Sequence, residues 1–263
     1  MASNFSSKPR RSRLKQKYTA GETIRWVLLD ILSLELVEML GDLGCDCVMI
    51  EAEHAAYDER LIAQICQVAA ISGMTPAVRL RTIRHDQIGR LLDIGIQCLH
   101  ATHVRSQTEA HHLVQCAKYP PAGDRGWGRF AAVNGYGLID EHDAVAAGNE
   151  EILLSVCIED VEGAANIRAI CTTPGIDAIS IGASDLAASM GITGQYQNPA
   201  FTAKLCEIEG AISASLLAGK RLFQPGDARN IGAPLGRRLE HCEKRCLLPM
   251  GKCVFASDLL GVS

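Results

Sequence analysis

Residues 45–80 read CDCVMIEAEHAAYDERLIAQICQVAAISGMTPAVRL. The apolar run Cys45–Ile50 has the length and composition of a buried strand. A helical segment then begins near Asp58, a good N-cap residue, and ends before Gly73. Pro76–Leu80 is a second short apolar run. This order predicts a parallel strand–helix–strand unit.

The same alternation continues along the chain and indicates eight strands. Several helices have recognisable starts, such as the Ser106–Glu109 capping box and the Asn198-Pro199 pair. Eight strands alternating with helices predict a closed (β/α)8 TIM barrel. A doubly wound open sheet is the alternative, but no GxGxxG pattern follows the first strand. The predicted strands are Thr23–Leu29, Cys45–Ile50, Pro76–Leu80, Cys98–Ala101, Ile152–Ile158, Ala178–Ile181, Lys220–Phe223 and Arg245–Leu248.

The domain organisation is simple. No internal repeat or linker divides the chain, so we expect one catalytic barrel domain over residues 21–263. Residues 1–20 form a basic N-terminal segment with six cations between Lys8 and Lys17. We expect a solvated, partly disordered tail there, and a targeting or nucleic-acid-binding arm is the alternative.

Composition limits the classes of partner. The 263-residue chain is 48% hydrophobic and carries a net charge of −4, which gives no general attraction to nucleic acid or to an anionic membrane. It has no apolar run of membrane-spanning length, and its first 20 residues lack the apolar core of a secretory signal. Eleven cysteines without a CxxC pair indicate reduced thiols and a cytoplasmic enzyme, with a Cys45/Cys47 zinc half-site as a weak alternative.

Charged residues cluster where the predicted strands end. Glu51, Glu53 and His54 follow the second strand, and Arg79 lies near the end of the third. Glu159 follows the fifth strand, and Gly182-Ala-Ser-Asp185 follows the sixth. Because the active site of a barrel lies at the carboxyl ends of its strands, we expect these groups to meet at one mouth.

The residue types at this mouth favour metal-assisted chemistry. Glu159 and Asp185 form a two-carboxylate set that suits Mg²⁺ or Mn²⁺ better than zinc. Arg79 could bind a substrate carboxylate, and His54 could transfer protons near neutral pH. Each residue also has a structural interpretation: the carboxylates could cap helices, Arg79 could form a rim ion pair, and His54 could be a loop histidine.

The chain resembles the HpcH/HpaI aldolases, class II metal-dependent pyruvate aldolases, over roughly residues 20 to 220. The matching segments, which are specific only as an ordered set, are Ile50-Glu-Ala-Glu-His54, Ala77-Val-Arg79, Leu92-Asp93-Ile-Gly95, Tyr119-Pro-Pro-Ala-Gly-Asp-Arg-Gly126, Ile158-Glu159-Asp160 with Asn166-Ile167, Pro174-Gly-Ile-Asp177, and Ile181-Gly-Ala-Ser-Asp-Leu186 to Ser189-Met-Gly191.

This resemblance implies a role for each candidate residue. Glu159 and Asp185 would hold Mg²⁺ or Mn²⁺, with Co²⁺ as an alternative, and Arg79 would stabilise the enolate oxygen of a bound oxo acid. His54, paired with Asp93, would act as acid and base. The substrate carboxylate would lie near Gly182, Ala183 and Ser184. Arg125 would lie at the rim or a subunit contact, or would anchor its loop, and Glu51 and Glu53 are further candidates at the mouth.

The implied activity is the cleavage of a 4-hydroxy-2-oxo acid into pyruvate and an aldehyde, or the reverse reaction. Four positions depart from the family pattern: Glu51 replaces Asp, Cys157 replaces Gln, Ala183 replaces Pro, and Thr102 replaces Pro in a segment with two unusual histidines, His100 and His103. Cys157 and Thr102 motivate an alternative, a citrate-synthase-like enzyme of siderophore assembly that condenses oxaloacetate with acetyl-CoA. A non-catalytic barrel is a second alternative.

The C-terminal end bears on assembly. Residues 257–263 would make only about two helical turns, too few for a full outer helix. Since the basic N-terminal segment is polar, we expect a neighbouring subunit to cover the remaining apolar surface. The sequence therefore predicts a homo-oligomer, a trimer or a hexamer as the resemblance implies, whose other partners are small oxo acids and aldehydes.

Overall fold

Seven parallel strands form one sheet in the order β6-β5-β4-β3-β2-β1-β7. The computed structural model describes residues 9–22 and 24–215 and the backbone of residues 244–246. The strands are β1 (Trp26–Leu29), β2 (Cys47–Glu51), β3 (Thr75–Leu80), β4 (Cys98–Ala101), β5 (Leu153–Ile158), β6 (Ala178–Ile181) and β7 (Lys244–Cys246).

Helices connect these strands. They are α1 (Arg13–Ala20), α2 (Leu34–Asp42), α3 (Glu59–Ile71), α4 (His85–Asp93), α5 (Gln107–Ala117), α6 (Glu141–Glu150), α7 (Val161–Ala165), α8 (Ile167–Cys171), α9 (Ala183–Ser189) and α10 (Pro199–Ser213). The predicted caps are present, since the side chains of Ser106 and Asn198 accept N–H groups of α5 and α10. The helical segment between β5 and β6 is divided at Asn166 into α7 and α8.

The strand order supports a barrel-type topology. Strands β1 to β6 neighbour one another in sequence order, without the reversal that defines a doubly wound sheet. Strand β7 pairs in parallel with β1, as the last strand of a barrel does, and it overlaps the predicted eighth strand. The predicted seventh strand, Lys220–Phe223, lies outside the described residues. The parallel α/β sheet is therefore established, and closure into eight strands stays a prediction.

The sheet curls around a small apolar interior. Alternate side chains from all six strands β1–β6 pack on one face into a single cluster, and the opposite faces of the same strands pack against the helices. The interior cluster consists of Leu14, Trp26, Leu28, Cys47, Met49, Ala77, Cys98, Leu153 and Ala178.

The N-terminal segment differs from the expected solvated tail. Residues 13–20 form α1, and its Leu14 is fully buried in the interior cluster. Cations of the segment bind acceptors just before the strands begin: Lys15 Nζ donates to Ile152 O at 2.8 Å, and Lys17 Nζ lies 2.9 Å from Asp46 Oδ1. The segment can therefore be largely polar and still close this end of the sheet, because Leu14 enters the interior and Tyr18 of the same helix packs against it.

Two further expectations can be compared with the described residues. All eight cysteines among them are free and seven are buried, as predicted for reduced thiols. The groups of His, Cys, Asp and Glu that are close enough to share a metal ion contain no cysteine in this part of the chain, which leaves the zinc half-site without support. No helix in the described ranges is long and apolar enough to cross a membrane.

Replacing Leu14 with alanine tests the role of α1. The change should lower the free energy of unfolding by about 3 kcal/mol, since it leaves a cavity in the interior cluster. Gln16→Ala, an exposed change on the same helix, should alter it by less than about 0.5 kcal/mol. Urea denaturation of the full chain measures the free energy of unfolding of both variants. Equal effects of the two changes would mean that Leu14 of α1 does not contribute to the interior packing of the sheet.

Candidate active site

The carboxyl end of the sheet brings together most of the charged residues predicted to lie there. Glu51 is the last residue of β2 and stands opposite Arg79 of β3 in the strand register. Glu53 follows β2, and Glu159 follows β5. The side chains of all three glutamates are at most 4% exposed, and that of Arg79 is 14% exposed. The predicted mouth is therefore a buried cluster of three carboxylates around one guanidinium.

Glu51 organises the loop that carries Glu53 and His54. Its Oε1 accepts the backbone N–H groups of Glu53 and His54 at 2.8 and 3.2 Å. Its Oε2 accepts a hydrogen bond from Nη1 of Arg79 at 3.0 Å. Both oxygens of this carboxylate are thus used within the protein, which indicates a positioning role for Glu51.

Arg79 is held between the carboxylates. Its Nη2 lies 2.6 Å from Glu53 Oε2 and 3.9 Å from Glu159 Oε2. Burial by itself would lower the pKa of Arg79, but the negative charges of Glu51 and Glu53 outweigh it and raise the pKa. The guanidinium is therefore a fixed positive charge at the mouth.

The Glu159 side chain is fully buried. Burial raises the pKa of its carboxyl group, although its Oε1 accepts the backbone N–H of His103 at 2.6 Å. The Cys157 thiol donates to Oε2 at 3.5 Å. Glycine is required at residue 182, because a Cβ there would lie only 2.4 Å from Glu159 Oε2. Gly182 thus makes room for the carboxylate itself.

His103 is a member of the cluster that sequence reasoning missed. Its Nε2 lies 3.1 Å from Glu53 Oε1, and its Nδ1 lies 3.4 Å from Glu159 Oε1. The sequence showed it only as a departure from the family pattern. The signal that could have identified it is its place two residues after β4, at the same sheet edge as the other candidates.

His54, Asp93 and Arg125 are arranged differently from the expected His54–Asp93 pair. His54 is more than half exposed, and its Nε2 lies 3.5 Å from Glu53 Oε2. Asp93 instead accepts a hydrogen bond from Nη2 of Arg125 at 2.7 Å. The Arg125 side chain is fully buried and stacks over the Tyr119 ring at 4.4 Å. These contacts favour the loop-anchor interpretation of Arg125, and the pairing of His54 with Asp93 stays a prediction.

The residues after β6 lie at the start of α9. Ala183 is buried, and Ser184 is exposed with its Oγ 3.3 Å from the Tyr196 hydroxyl. Asp185 is partly exposed, and it belongs to neither group of potential metal ligands found among the described residues. Its partnership with Glu159 therefore also stays a prediction.

The charges and donor atoms of the cluster fit a divalent cation. Glu51, Glu53 and Glu159 with Arg79 carry a net charge of −2 when the histidines are neutral. Carboxylate oxygens of Glu53 and Glu159 and a nitrogen of His103 all lie within 4.8 Å of one another. Oxygen and imidazole donors in this combination bind divalent first-row metals.

A polar layer lies beneath the mouth. His100 of β4 is buried, with Nδ1 3.0 Å from Ser155 Oγ and Nε2 3.3 Å from Ser180 Oγ. Burial, and then the positive charge of Arg79, lowers the pKa of His100 to about 3. The imidazole is therefore neutral at physiological pH.

A curled parallel sheet with a buried arginine–carboxylate cluster at the carboxyl ends of its strands has the arrangement of a barrel-type enzyme site. Comparison with known proteins identifies the family. The sequence model of the HpcH/HpaI aldolase/citrate lyase family matches residues 28–222. The chain belongs to this family, which confirms the resemblance.

Individual relatives are similar over most of the chain. A hydroxypyruvate/pyruvate aldolase of Pseudomonas aeruginosa is 34% identical over 80% of this chain and 76% of its own length. The crystal structure of an HpcH/HpaI aldolase from Desulfitobacterium hafniense matches with a TM-score of 0.72 at 30% identity, over 76% of this chain and 77% of the other. The citrate synthase SbnG matches with a TM-score of 0.71 at 27% identity, over 83% of this chain and 84% of the other.

The neutral state of His100 makes stability depend on pH. The unfolded chain takes up a proton on this side chain below about pH 6.5, whereas the folded protein does so only near pH 3. The free energy of unfolding should therefore fall as pH decreases through this window. Between pH 6.5 and pH 5 the loss attributable to His100 should approach about 2 kcal/mol.

Denaturation of three proteins at both pH values measures this effect. His100→Asn, which keeps hydrogen-bonding groups but does not titrate, should lose correspondingly less stability on acidification than the unaltered protein. His142→Asn, a change at an exposed histidine, should retain the full pH dependence. Identical acid sensitivity of the unaltered protein and His100→Asn would contradict the assignment.

Proposed function

We propose that this protein is a class II pyruvate aldolase that cleaves or forms the carbon–carbon bond of a 4-hydroxy-2-oxo acid. The observation that carries the proposal is the Arg79 guanidinium, fixed among buried carboxylates at the mouth of the sheet. The aldolase names of relatives at 34% and 31% identity agree with it. Bond cleavage of this kind leaves pyruvate as its enolate, whose oxygen needs a positive partner.

Arg79 would supply part of that positive charge. Glu51 and Glu53 hold its guanidinium in place, so little reorganisation is needed when negative charge develops on the substrate oxygen. The substrate carboxylate would lie near Gly182, Ala183 and Ser184, beside the Glu159 carboxylate that packs against Gly182. The substrate would thus be oriented between Arg79 and the start of α9.

Glu159 and Asp185 would hold the divalent ion, with Mg²⁺ or Mn²⁺ as the first candidates and Co²⁺ as an alternative. When bound, the ion supplies Lewis-acid charge to the oxygens of the oxo acid. The raised pKa of Glu159 supports this role, because a buried carboxylate gains most from a nearby cation.

His54 would transfer the proton between the aldehyde-side hydroxyl and solvent. Its side chain is exposed enough to reach substrate and water, and Glu53 lies beside it. Asp93 would orient the imidazole only if it leaves Arg125 or reaches His54 from a neighbouring subunit. In the contacts described above, Glu53 is the nearer carboxylate.

A citrate-synthase-like condensing enzyme is the second candidate function. The similarity to the citrate synthase SbnG and the replacement of the usual Gln by Cys157 favour it. Product analysis separates the two activities: pyruvate with an aldehyde gives a 4-hydroxy-2-oxo acid, whereas oxaloacetate with acetyl-CoA gives citrate.

The Arg79→Lys variant tests the proposed mechanism. Lysine keeps the charge but loses the planar fork that contacts Glu51 and Glu53, so the rate of aldol formation from pyruvate should fall roughly 100-fold. Arg84→Lys, which alters an exposed ion pair with Asp86, should leave the rate unchanged. Normal turnover in Arg79→Lys would assign this residue to structure alone.

We also propose a homo-oligomer, a trimer or a hexamer. Four large side chains of one segment, Trp127, Phe130, Tyr136 and Leu138, are between 38% and 75% exposed. A neighbouring subunit would remove this apolar surface from water.

Light scattering at low micromolar concentration should give a multiple of the chain mass of 28.3 kDa. Phe130→Asp should shift the population toward smaller species, because it places a charge in the contact. Ile71→Asp, at an even more exposed apolar position on α3, should not. If the unaltered protein is monomeric under these conditions, the proposed oligomer is wrong.

A further inference from the structure

We propose that His103, together with Glu53, provides additional ligands to the ion held by Glu159, so that the site prefers a transition metal to Mg²⁺. This inference rests on the proposed metal-dependent function and names the kind of ion that it uses. It adds a nitrogen ligand to what the sequence predicted as a two-carboxylate oxygen site.

The first argument is the position of the imidazole. His103 lies between two carboxylates, with Nε2 3.1 Å from Glu53 Oε1 and Nδ1 3.4 Å from Glu159 Oε1. These three residues come from loops after three different strands, β2, β4 and β5. Because the three side chains converge from separate strands, they surround a common space with potential metal ligands. Charged residues along one solvated helix do not converge in this way.

The second argument is the incomplete satisfaction of the buried carboxylates. Glu53 is 4% exposed, and its Oε2 makes no hydrogen bond of acceptable geometry within the described part of the chain, although Arg79 Nη2 lies 2.6 Å away. One arginine cannot balance three carboxylates. A divalent cation between Glu53 and Glu159 would neutralise the remaining charge of −2.

The third argument concerns the backbone. His103 has φ +54°, in the left-handed region that a histidine adopts infrequently. In this conformation its N–H reaches Glu159 Oε1 at 2.6 Å while its side chain stays beside Glu53. The residue is thus attached to Glu159 through its main chain, which fixes the imidazole close to the carboxylate that would hold the ion.

The donor set determines the preferred metal. Mg²⁺ favours oxygen ligands and retains its waters, whereas a neutral imidazole binds later first-row ions more strongly. One nitrogen with carboxylate oxygens therefore favours a later ion such as Co²⁺ over Mg²⁺. The competing role for His103 is an electrostatic bridge between Glu53 and Glu159, with no metal bond.

The test measures metal binding directly on the full chain after removal of metals with a chelator. Calorimetric titration gives the affinities for Co²⁺ and Mg²⁺, and pulsed electron paramagnetic resonance of the Mn²⁺-loaded protein detects a coordinated nitrogen. His103→Asn is the variant, because asparagine tolerates the left-handed backbone and lacks the imidazole. His142→Asn, in the exposed group Asp140, His142 and Asp143, is the matched control.

We expect nitrogen coupling in the unaltered protein and in His142→Asn, and its loss in His103→Asn. The affinity for Co²⁺ should fall at least tenfold in His103→Asn, while the affinity for Mg²⁺ changes less than about threefold. Absence of nitrogen coupling in the unaltered protein would overturn the proposal, whether or not the variant folds. Equal loss of affinity for both ions would also overturn it, since that result indicates an electrostatic bridge.

Failure of this inference can be distinguished from failure of the proposed function. Aldolase activity that needs a metal ion, in a protein without nitrogen coupling, would leave the proposed function intact and remove His103 from the ligand set. A Co²⁺ site with a nitrogen ligand, in a protein that forms no product from pyruvate and aldehydes, would support the role of His103 and contradict the proposed function.

Discussion

The ion pairs of Arg79 are the interaction on which the mouth of the sheet depends. Three glutamate side chains are almost completely removed from water within reach of one another, and their mutual repulsion would be severe without a cation. Arg79 contacts two of them, and backbone N–H groups satisfy Glu51 and Glu159 further. Strands β2, β3 and β5 must therefore keep their register, because a shift by one residue would turn these side chains to the other face.

The two ends of the sheet differ in charge balance. At the lower end, cations of α1 bind Asp46 and Asp177, and Leu14 seals the apolar interior. At the upper end, three buried carboxylates outnumber the one buried guanidinium. Between them lies the neutral polar layer of His100 with Ser155 and Ser180. This layer is hydrogen-bonded and, because burial lowers the pKa of His100, uncharged, so it adds no further charge beneath the carboxylates.

Two of the departures from the family pattern contact Glu159. Cys157 donates its thiol to this carboxylate, and the backbone and imidazole of His103 lie against it from β4. Gly182 closes the same space from β6 without a side chain. Glu159 is therefore enclosed by residues of, or next to, strands β4, β5 and β6, whereas Arg79 contacts residues that the sequence had already predicted to lie at the mouth.

The sequence by itself determined the parallel α/β class, six of the strands to within three residues, and the edge of the sheet where Glu51, Glu53, Arg79 and Glu159 lie. It could do so because strand periodicity and strand ends are local properties of the chain. Only the tertiary structure decided which groups meet. Leu14 enters the interior, Asp93 binds Arg125, and His103 lies between Glu53 and Glu159. These contacts join residues that are distant in the sequence: 61 positions separate Leu14 from Thr75, 32 separate Asp93 from Arg125, and 56 separate His103 from Glu159. Distances of that kind are set by how the strands curl and by how loops from different strands pack together, and neither is encoded in the pattern of any single segment.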